Sequence, residues 1–493
     1  MTRKLRPYDE PPKARRSLLP TAPDSAATLF LAVAILWLVA ATGIGALAQM
    51  QRAFPDLLKA SLQVPLGPGI TLLVTPATTT PAFVDALIFG WLSNAAFAAV
   101  CFITPRLTGT RLATDRMATF SLLAWNAAIA GGVALLYVKG ASGTAALAEF
   151  PLPVKGLALV GLLGVNAVFW RTALMARGDR YISLFYFGIA LLALLGLMAL
   201  STVPAVISLG ATNDQVLYAF YARAVATYWV LGASLATLYY LVPRVARNPL
   251  YSGGLAWLGF VGWLGFAGLS AIGALVDPSV PYAVTSLGTA GTLWLLAPTF
   301  LAVANLLGTI RGRWSLILST GTLSFSVVSL AFIAATPLLE SVGALRSVQA
   351  WTAGTTWPMG VLVFSALGGA TFAYYAFADH ALPRALHRAW SESILSDVVL
   401  WATFVGTALA GFAMLAGGLV AGSLISQGAA PDEVADAIRW IQLASAAGLG
   451  LASLGALALL VNAFLMYTAA PLIELSVPSS IPTSATTSAA AGQ

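Results

Sequence analysis

The sequence predicts an all-α integral membrane protein with twelve transmembrane helices. Of its 493 residues, 59% are hydrophobic and 9% are charged, and the mean hydropathy is +0.86, whereas soluble domains carry about 25% charged residues. About 20 apolar residues are needed to cross a bilayer as a helix, and twelve segments of the chain meet that requirement. These segments are residues 26–48, 82–103, 117–138, 154–174, 181–209, 215–242, 255–276, 282–310, 314–338, 352–377, 398–424 and 441–467.

The distribution of lysine and arginine predicts the orientation of these helices. If the N-terminus is cytoplasmic, the tail and the loops after helices 2, 4, 6, 8 and 10 hold eighteen of the 25 basic residues, and the opposite loops hold six. Cytoplasmic loops of membrane proteins are enriched in these residues. We therefore expect both termini in the cytoplasm of a bacterial-type inner membrane.

The helices predict one transmembrane domain over residues 26–467, with no soluble domain between them. Residues 1–25 are basic and rich in proline, and they are too long for the start of a cleaved signal. We interpret them as a cytoplasmic tail. Residues 468–493 are small and polar, which is typical of a disordered tail.

One arginine, Arg223, interrupts an otherwise apolar stretch, FYARAVATYWVLGASLATLYYLVPR, in predicted helix 6. Two interpretations remain open. The side chain could reach back to the membrane surface, or it could face the bundle interior and form part of a polar site. In the second case Asp85, in predicted helix 2, is the expected partner because it lies at a similar depth.

Histidine and cysteine are scarce. The single cysteine, Cys101, permits no disulfide framework. The two histidines, His380 and His387, fall in the predicted loop after helix 10, where solvation is more plausible than metal binding. No nucleotide loop, catalytic triad or nucleic-acid surface is recognisable in the sequence, and the lipid bilayer is the first expected partner.

Several short strings, in this order and spacing, resemble subunit I of the heme-copper oxidase superfamily, in particular the cbb3-type oxidases and the nitric oxide reductases. The strings are ALIFGWLSNA (Ala86–Ala95), YYLVPR (Tyr239–Arg244), NPLYS (Asn248–Ser252), LLAPTFLAVAN (Leu295–Asn305) and WTAG (Trp351–Gly354). The resemblance covers roughly residues 80–380 and implies a twelve-helix bundle.

Members of that family hold two hemes and a copper ion with six histidines, on helices 2, 6, 7 and 10. Imidazole suits both metals because it is neutral and directional. The resemblance places other residues at these positions. The heme-ligand positions become Phe83, Thr355 and Trp357, and the copper-ligand positions become Arg223, Gly273 and Ala274.

Two histidines cannot supply six ligands, so we expect this chain to bind neither heme nor copper. The expected function is a non-catalytic, subunit-I-like scaffold or accessory subunit, a pseudoenzyme of the respiratory chain. Its partners would be other respiratory-complex subunits, such as a cytochrome c subunit. Two alternatives stay open. The fold could serve as a proton or anion conduit or as a transporter, or the chain could be a true terminal oxidase or nitric oxide reductase subunit that holds its cofactors in an unexpected way.

Overall fold

A computed structural model describes residues 24–58, 65–67, 70–140, 147–176, 180–207, 209–273, 280–390 and 393–469. The predicted tails, residues 1–25 and 468–493, lie outside these ranges except for their innermost two residues. Within the described residues, helices dominate, and the prediction of an all-α membrane protein is confirmed.

Twelve helices of the described chain are long and apolar enough to cross a membrane, which confirms the predicted number. We label them α1 to α12 in chain order. Their bounds are Ser25–Ala53, Pro76–Thr108, Asp115–Lys139, Leu152–Ala173, Ile182–Val206, Ala211–Ala246, Gly253–Ile272, Tyr282–Thr309, Gly321–Ala344, Trp357–Leu386, Ile394–Ser426 and Pro431–Thr468.

Three of these helices, α2, α6 and α10, contain a wider π-helical turn in their interior. The turns are Ala86–Leu92, Val225–Leu231 and Phe364–Ala370. Short elements complete the chain. They are the helices Ser315–Ser319 and Arg346–Thr352, and an antiparallel pair of strands, Pro65–Gly67 and Ile70–Thr71.

The same three helices form the centre of the bundle. The most apolar stretch of α2 is 100% buried, that of α10 is 89% buried and that of α6 is 83% buried, whereas the other nine lie between 39% and 61%. Indole N–H groups join the central helices: Trp91 donates to Thr371 and Trp229 donates to Ser93, each at 2.9 Å. Buried tryptophans usually find such partners, and these bonds fix the three helices to one another.

The two ends of the bundle differ in charge. Because successive helices run in opposite directions, the loops after α2, α4, α6, α8 and α10 share one end, which we call the arginine-rich end. The loops after α1, α3, α5, α7, α9 and α11 share the other, the arginine-poor end.

Two helices continue further than hydropathy predicts, and both extensions matter for the site. Helix α9 runs to Ala344 and includes Glu340; helix α10 runs to Leu386 and includes His380. The expectation of a solvated loop histidine is therefore wrong for His380, which is 3% exposed and packs edge-on against Phe102 and Tyr240. His387 ends the helix in a left-handed conformation.

Candidate functional site

A cavity of about 430 Å³ opens near the arginine-poor end, between α6, α7, α8, α9 and α10. Most of its lining is apolar and includes Ala222, Trp357 and Leu362. Its polar lining includes the side chains of Arg223 and Glu340. We call it the Arg223 cavity.

Arg223 forms a short ion pair on the wall of this cavity. Its Nη1 donates to Glu340 Oε1 at 2.7 Å, and its Nη2 donates to Ser270 Oγ at 3.1 Å. The Arg223 side chain is 20% exposed and that of Glu340 is 9% exposed. Arg223 therefore faces the bundle interior rather than reaching back to the membrane surface.

The expected partner of Arg223 was the wrong carboxylate. The structure pairs Arg223 with Glu340 on α9, and not with Asp85 on α2. Hydropathy predicts that helix 9 ends at residue 338, which places Glu340 in a loop. Glu340 was therefore not considered as a partner for Arg223. The helical continuation past Pro337 brings Glu340 to the level of Arg223.

The positions that the resemblance assigns to copper ligands include Arg223 and Gly273, and both line the cavity. Gly273 follows the last residue of α7. Ala274 lies outside the described residues. A guanidinium stays protonated in proteins and offers only donors, so it repels a metal ion instead of binding one.

The positions assigned to heme ligands hold two packed aromatic rings and a threonine. The ring of Phe83 lies so close to α1 that a Cβ at Gly45 would approach it to 2.7 Å, and the Trp357 indole would approach a Cβ at Gly343 to 2.5 Å. Thr355 donates its hydroxyl to the Thr352 carbonyl at 2.8 Å. Neither ring carries a heme-ligating atom, and the hydroxyl of Thr355 is already engaged.

Taken together, these residues do not fit the heme and copper groups of the family. Neither histidine lies among the Arg223 cavity's lining, and His380 packs on the arginine-rich half of α10. Among the described residues, no three His, Cys, Asp or Glu side chains come close enough to hold a metal ion.

A second polar cluster, which sequence reasoning missed, surrounds Asp85. Glu149 and Lys155 are the charged groups that act most strongly on this carboxyl. All three are buried, with 0%, 8% and 3% exposure for Asp85, Glu149 and Lys155. The ammonium of Lys155 donates to the Ser201 carbonyl at 2.8 Å.

Asp85 itself has no hydrogen-bond partner for either carboxyl oxygen within the part of the chain that the structure describes. Glu149, in the segment before α4, lacks a partner for one oxygen there as well. Burial raises the pKa of Glu149 to about 7, against the opposing influence of backbone N–H groups and of Lys155. The sequence signal was weak because Glu149 and Lys155 sit in or next to a predicted loop.

Comparison with known proteins agrees with this architecture. The family described as cytochrome c and quinol oxidase polypeptide I matches residues 25–451. The chain is 25% identical over 404 residues to the cbb3-type cytochrome c oxidase subunit CcoN1 of Stutzerimonas stutzeri, covering 80% of this chain and 82% of that protein. It is 23% identical over 450 residues to the bacteroid cytochrome c oxidase subunit 1 homolog of Bradyrhizobium diazoefficiens, covering 87% and 80%.

A solved structure of a heme-copper terminal oxidase dimer shares the fold. Its TM-score is 0.66 at 14% sequence identity, and the match covers 91% of this chain and 85% of that chain.

Proposed function

The chain belongs to the cytochrome c and quinol oxidase polypeptide I family, and we propose that it is a member that keeps the twelve-helix bundle without the heme-copper chemistry. In this proposal it is a scaffold or accessory subunit of a respiratory complex in a bacterial inner membrane. Both termini would lie in the cytoplasm, and the partners would be other subunits, such as a cytochrome c subunit.

The observation that carries this proposal is the chemistry of the six positions where the family resemblance expects histidine. The described ones hold Phe83, Arg223, Gly273, Thr355 and Trp357. Oxygen reduction needs iron, copper and an electron path, and proteins supply these through cofactors. A fixed guanidinium and packed rings offer no place for either metal.

A reduced-minus-oxidised absorbance spectrum, with iron and copper analysis, tests the proposal. The measurement is made on the chain purified alone and again in native membrane complexes, with an active subunit I of a relative as positive control. We expect no heme in the isolated chain and heme only in proteins that co-purify with it. Stoichiometric heme or copper in the isolated chain would overturn the proposal.

The variant His380→Ala/His387→Ala provides a matched control for stray heme. If a small heme signal disappears in this double variant, the two histidines had bound it adventitiously. A stoichiometric signal that survives their removal would identify ligands of another residue type.

The buried Asp85 favours one second candidate function, a proton conduit. Asp85, Glu149 and Lys155 together offer two carboxyls and one amine in the bundle interior. Buried ionisable groups in membrane proteins often relay protons, and here Asp85 lies within α2 while Glu149 lies just before α4. Under an imposed pH gradient, proteoliposomes containing the chain would acidify faster than empty ones, and Asp85→Asn would abolish the difference. Equal rates for the chain and for empty liposomes would exclude this candidate.

A further inference from the structure

We propose that the Arg223 cavity binds an uncharged amphiphile, a hydrocarbon body that carries a hydroxyl or carbonyl oxygen. The inference rests on the proposed function, because a heme in this cavity would leave no room for another ligand. It goes further by assigning a ligand class to a space that the proposed function leaves unused.

One wall of the cavity is a continuous line of polar side chains. Glu340 accepts from Arg223, Arg223 donates to Ser270, and the hydroxyls of Ser270 and Thr292 lie 3.2 Å apart. Arginine has five N–H donors, and these two bonds engage two of them. Donors therefore remain for a ligand's oxygen atom.

The rest of the lining is mostly apolar. It includes Trp357, Met359, Val361 and Leu362 of α10 and Ala222 of α6. An acyl or alkyl body would bury its surface against these side chains, and burial of apolar surface is favourable when the site is hydrated in its free state. The polar side chains and the apolar lining together select a molecule that has one polar edge and one apolar body.

The ion pair argues against a charged ligand. Glu340 already neutralises Arg223, so an anion would have to displace a carboxylate whose side chain is only 9% exposed. A cation would approach the Arg223 guanidinium directly. Isolated charges at membrane depth are costly, and an uncharged oxygen avoids that cost.

The volume sets the size of the ligand. The cavity measures about 430 Å³, whereas one water molecule needs only about 10–15 Å³ of space of this kind, so the site has room for a ligand of many atoms. Cavities of about 300–1,000 Å³ are typical of small-molecule sites. We therefore choose a ten-carbon alcohol as the probe.

Native mass spectrometry of the full-length chain with 1-decanol tests the inference, with decanoate and decylammonium as charged probes of the same length. We expect one saturable decanol adduct per chain, and binding of both charged probes that is weaker by about a hundredfold. Decanoate binding as tightly as decanol would overturn the assignment of an uncharged ligand, and so would tight binding of decylammonium.

Cavity-filling variants locate the adduct. Ala222→Phe places a ring inside the cavity and should weaken decanol binding at least about tenfold, whereas Ala408→Phe, on a half-buried site of α11 outside the cavity lining, should leave it unchanged. If Ala222→Phe does not yield a monodisperse helical protein, Leu362→Trp fills the same space. An adduct that survives a folded filling variant would overturn the inference.

Heme absorbance recorded on the same samples separates the two hypotheses. Stoichiometric heme would overturn the proposed function itself. A heme-free chain with no decanol adduct would overturn only the present inference.

Discussion

The bundle contains two charged sites, one around Arg223 and one around Asp85. The charged groups of the first site are hydrogen-bonded to each other, whereas the carboxyl group of Asp85 is not hydrogen-bonded among the residues that the structure describes. Arg223 has a carboxylate at 2.7 Å and a hydroxyl at 3.1 Å on the wall of a cavity. Asp85 follows Val84, which lines the same cavity, yet neither of its oxygens has a hydrogen-bond partner within the described chain. Asp85 is fully buried and the Glu340 side chain is 9% exposed, and the two carboxylates differ in whether a donor from the described residues lies within hydrogen-bond distance.

This contrast shows that a buried carboxylate with an opposite charge nearby does not necessarily form an ion pair with it. Lys155 acts on Asp85 electrostatically, but its ammonium donates to a backbone carbonyl instead. A buried ion pair repays its desolvation only when the geometry is good and the remaining hydrogen bonds are satisfied. The Arg223 pair meets that condition, and the Asp85 cluster does not.

The largest expected effect comes from breaking the Arg223 pair. Glu340→Leu leaves a largely buried guanidinium without its carboxylate, and breaking a buried pair typically costs about 3–5 kcal/mol. We expect a loss of that order, near its lower limit because Arg223 is partly exposed. Denaturant unfolding in mixed micelles measures the change.

The double variant Arg223→Leu/Glu340→Leu is the control, since replacing both partners by apolar residues is often nearly neutral. The double variant should regain most of the stability that Glu340→Leu loses. Equal losses in the single and double variants would mean that Glu340 stabilises the fold through packing rather than through its charge. If Arg223→Leu folds as well as the unsubstituted chain, the result would favour the other interpretation, in which the Arg223 side chain reaches the membrane surface.

The next effect concerns pH and the Asp85 cluster. Since burial raises the pKa of Glu149 from 4.5 to about 7, the folded chain binds more protons than the unfolded chain between these values. Stability should therefore be highest below pH 4.5 for this group and fall as the pH rises from about 4.5 to about 7, by roughly 3 kcal/mol in total. Unfolding measured at pH 5 and pH 8 checks the direction.

Glu149→Gln should remove most of that pH dependence, because a glutamine does not titrate. The same slope in the variant would assign the titration to another group of the bundle.

A smaller effect is expected at Asp85. Asp85→Asn keeps the shape of the side chain and removes an unpartnered buried carboxylate, so the free energy of unfolding should rise by about 1–2 kcal/mol. Asp379→Asn serves as comparison, because Asp379 accepts a hydrogen bond from Thr322 at 2.5 Å and should gain nothing. A loss of stability in Asp85→Asn would show that the carboxylate has a bound ion or ordered water as its partner.

The smallest effect isolates one hydrogen bond of the Arg223 site. Ser270→Ala removes an acceptor of the guanidinium and should cost about 1 kcal/mol. Ser286→Ala is the matched control, since Ser286 also accepts from an arginine, Arg346, at 2.7 Å, but at an exposed position where such contacts contribute little. Equal effects at the two serines would remove the distinction between the buried and exposed contacts.

Hydropathy was sufficient to predict the number and order of the helices, since all twelve predicted segments overlap α1 to α12. It was insufficient for the helix ends. A helix can continue past its apolar run when a charged residue finds an internal partner, and hydropathy does not register such a partner. For that reason Glu340 was assigned to a loop although it lies inside a helix. His380 was assigned to a loop as well, and its helix continues past the apolar run to Leu386.

The candidate site was predictable in part. Helical depth left two interpretations of Arg223 open, and the polar site is the one that the structure shows. The resemblance assigned former ligand positions to Arg223, Gly273 and Trp357, and all three line one cavity. The partner of Arg223 could not be predicted, because depth along a helix says nothing about which helix is adjacent. Asp85 and Glu340 are comparable candidates until the packing of α6 against α9 is known.

The three π-helical turns also constrain the length of the chain. A π-turn holds one residue more than the α-helical turn that it replaces, and one residue rotates a helix by about 100°. Deleting a single residue within Val225–Leu231 would restore a regular helix, yet it would swing Arg223 away from Glu340 relative to Tyr239 at the other end of α6. In α2, α6 and α10 the number of residues therefore matters as much as their identity. We expect the chain to tolerate substitutions in these helices far better than insertions or deletions.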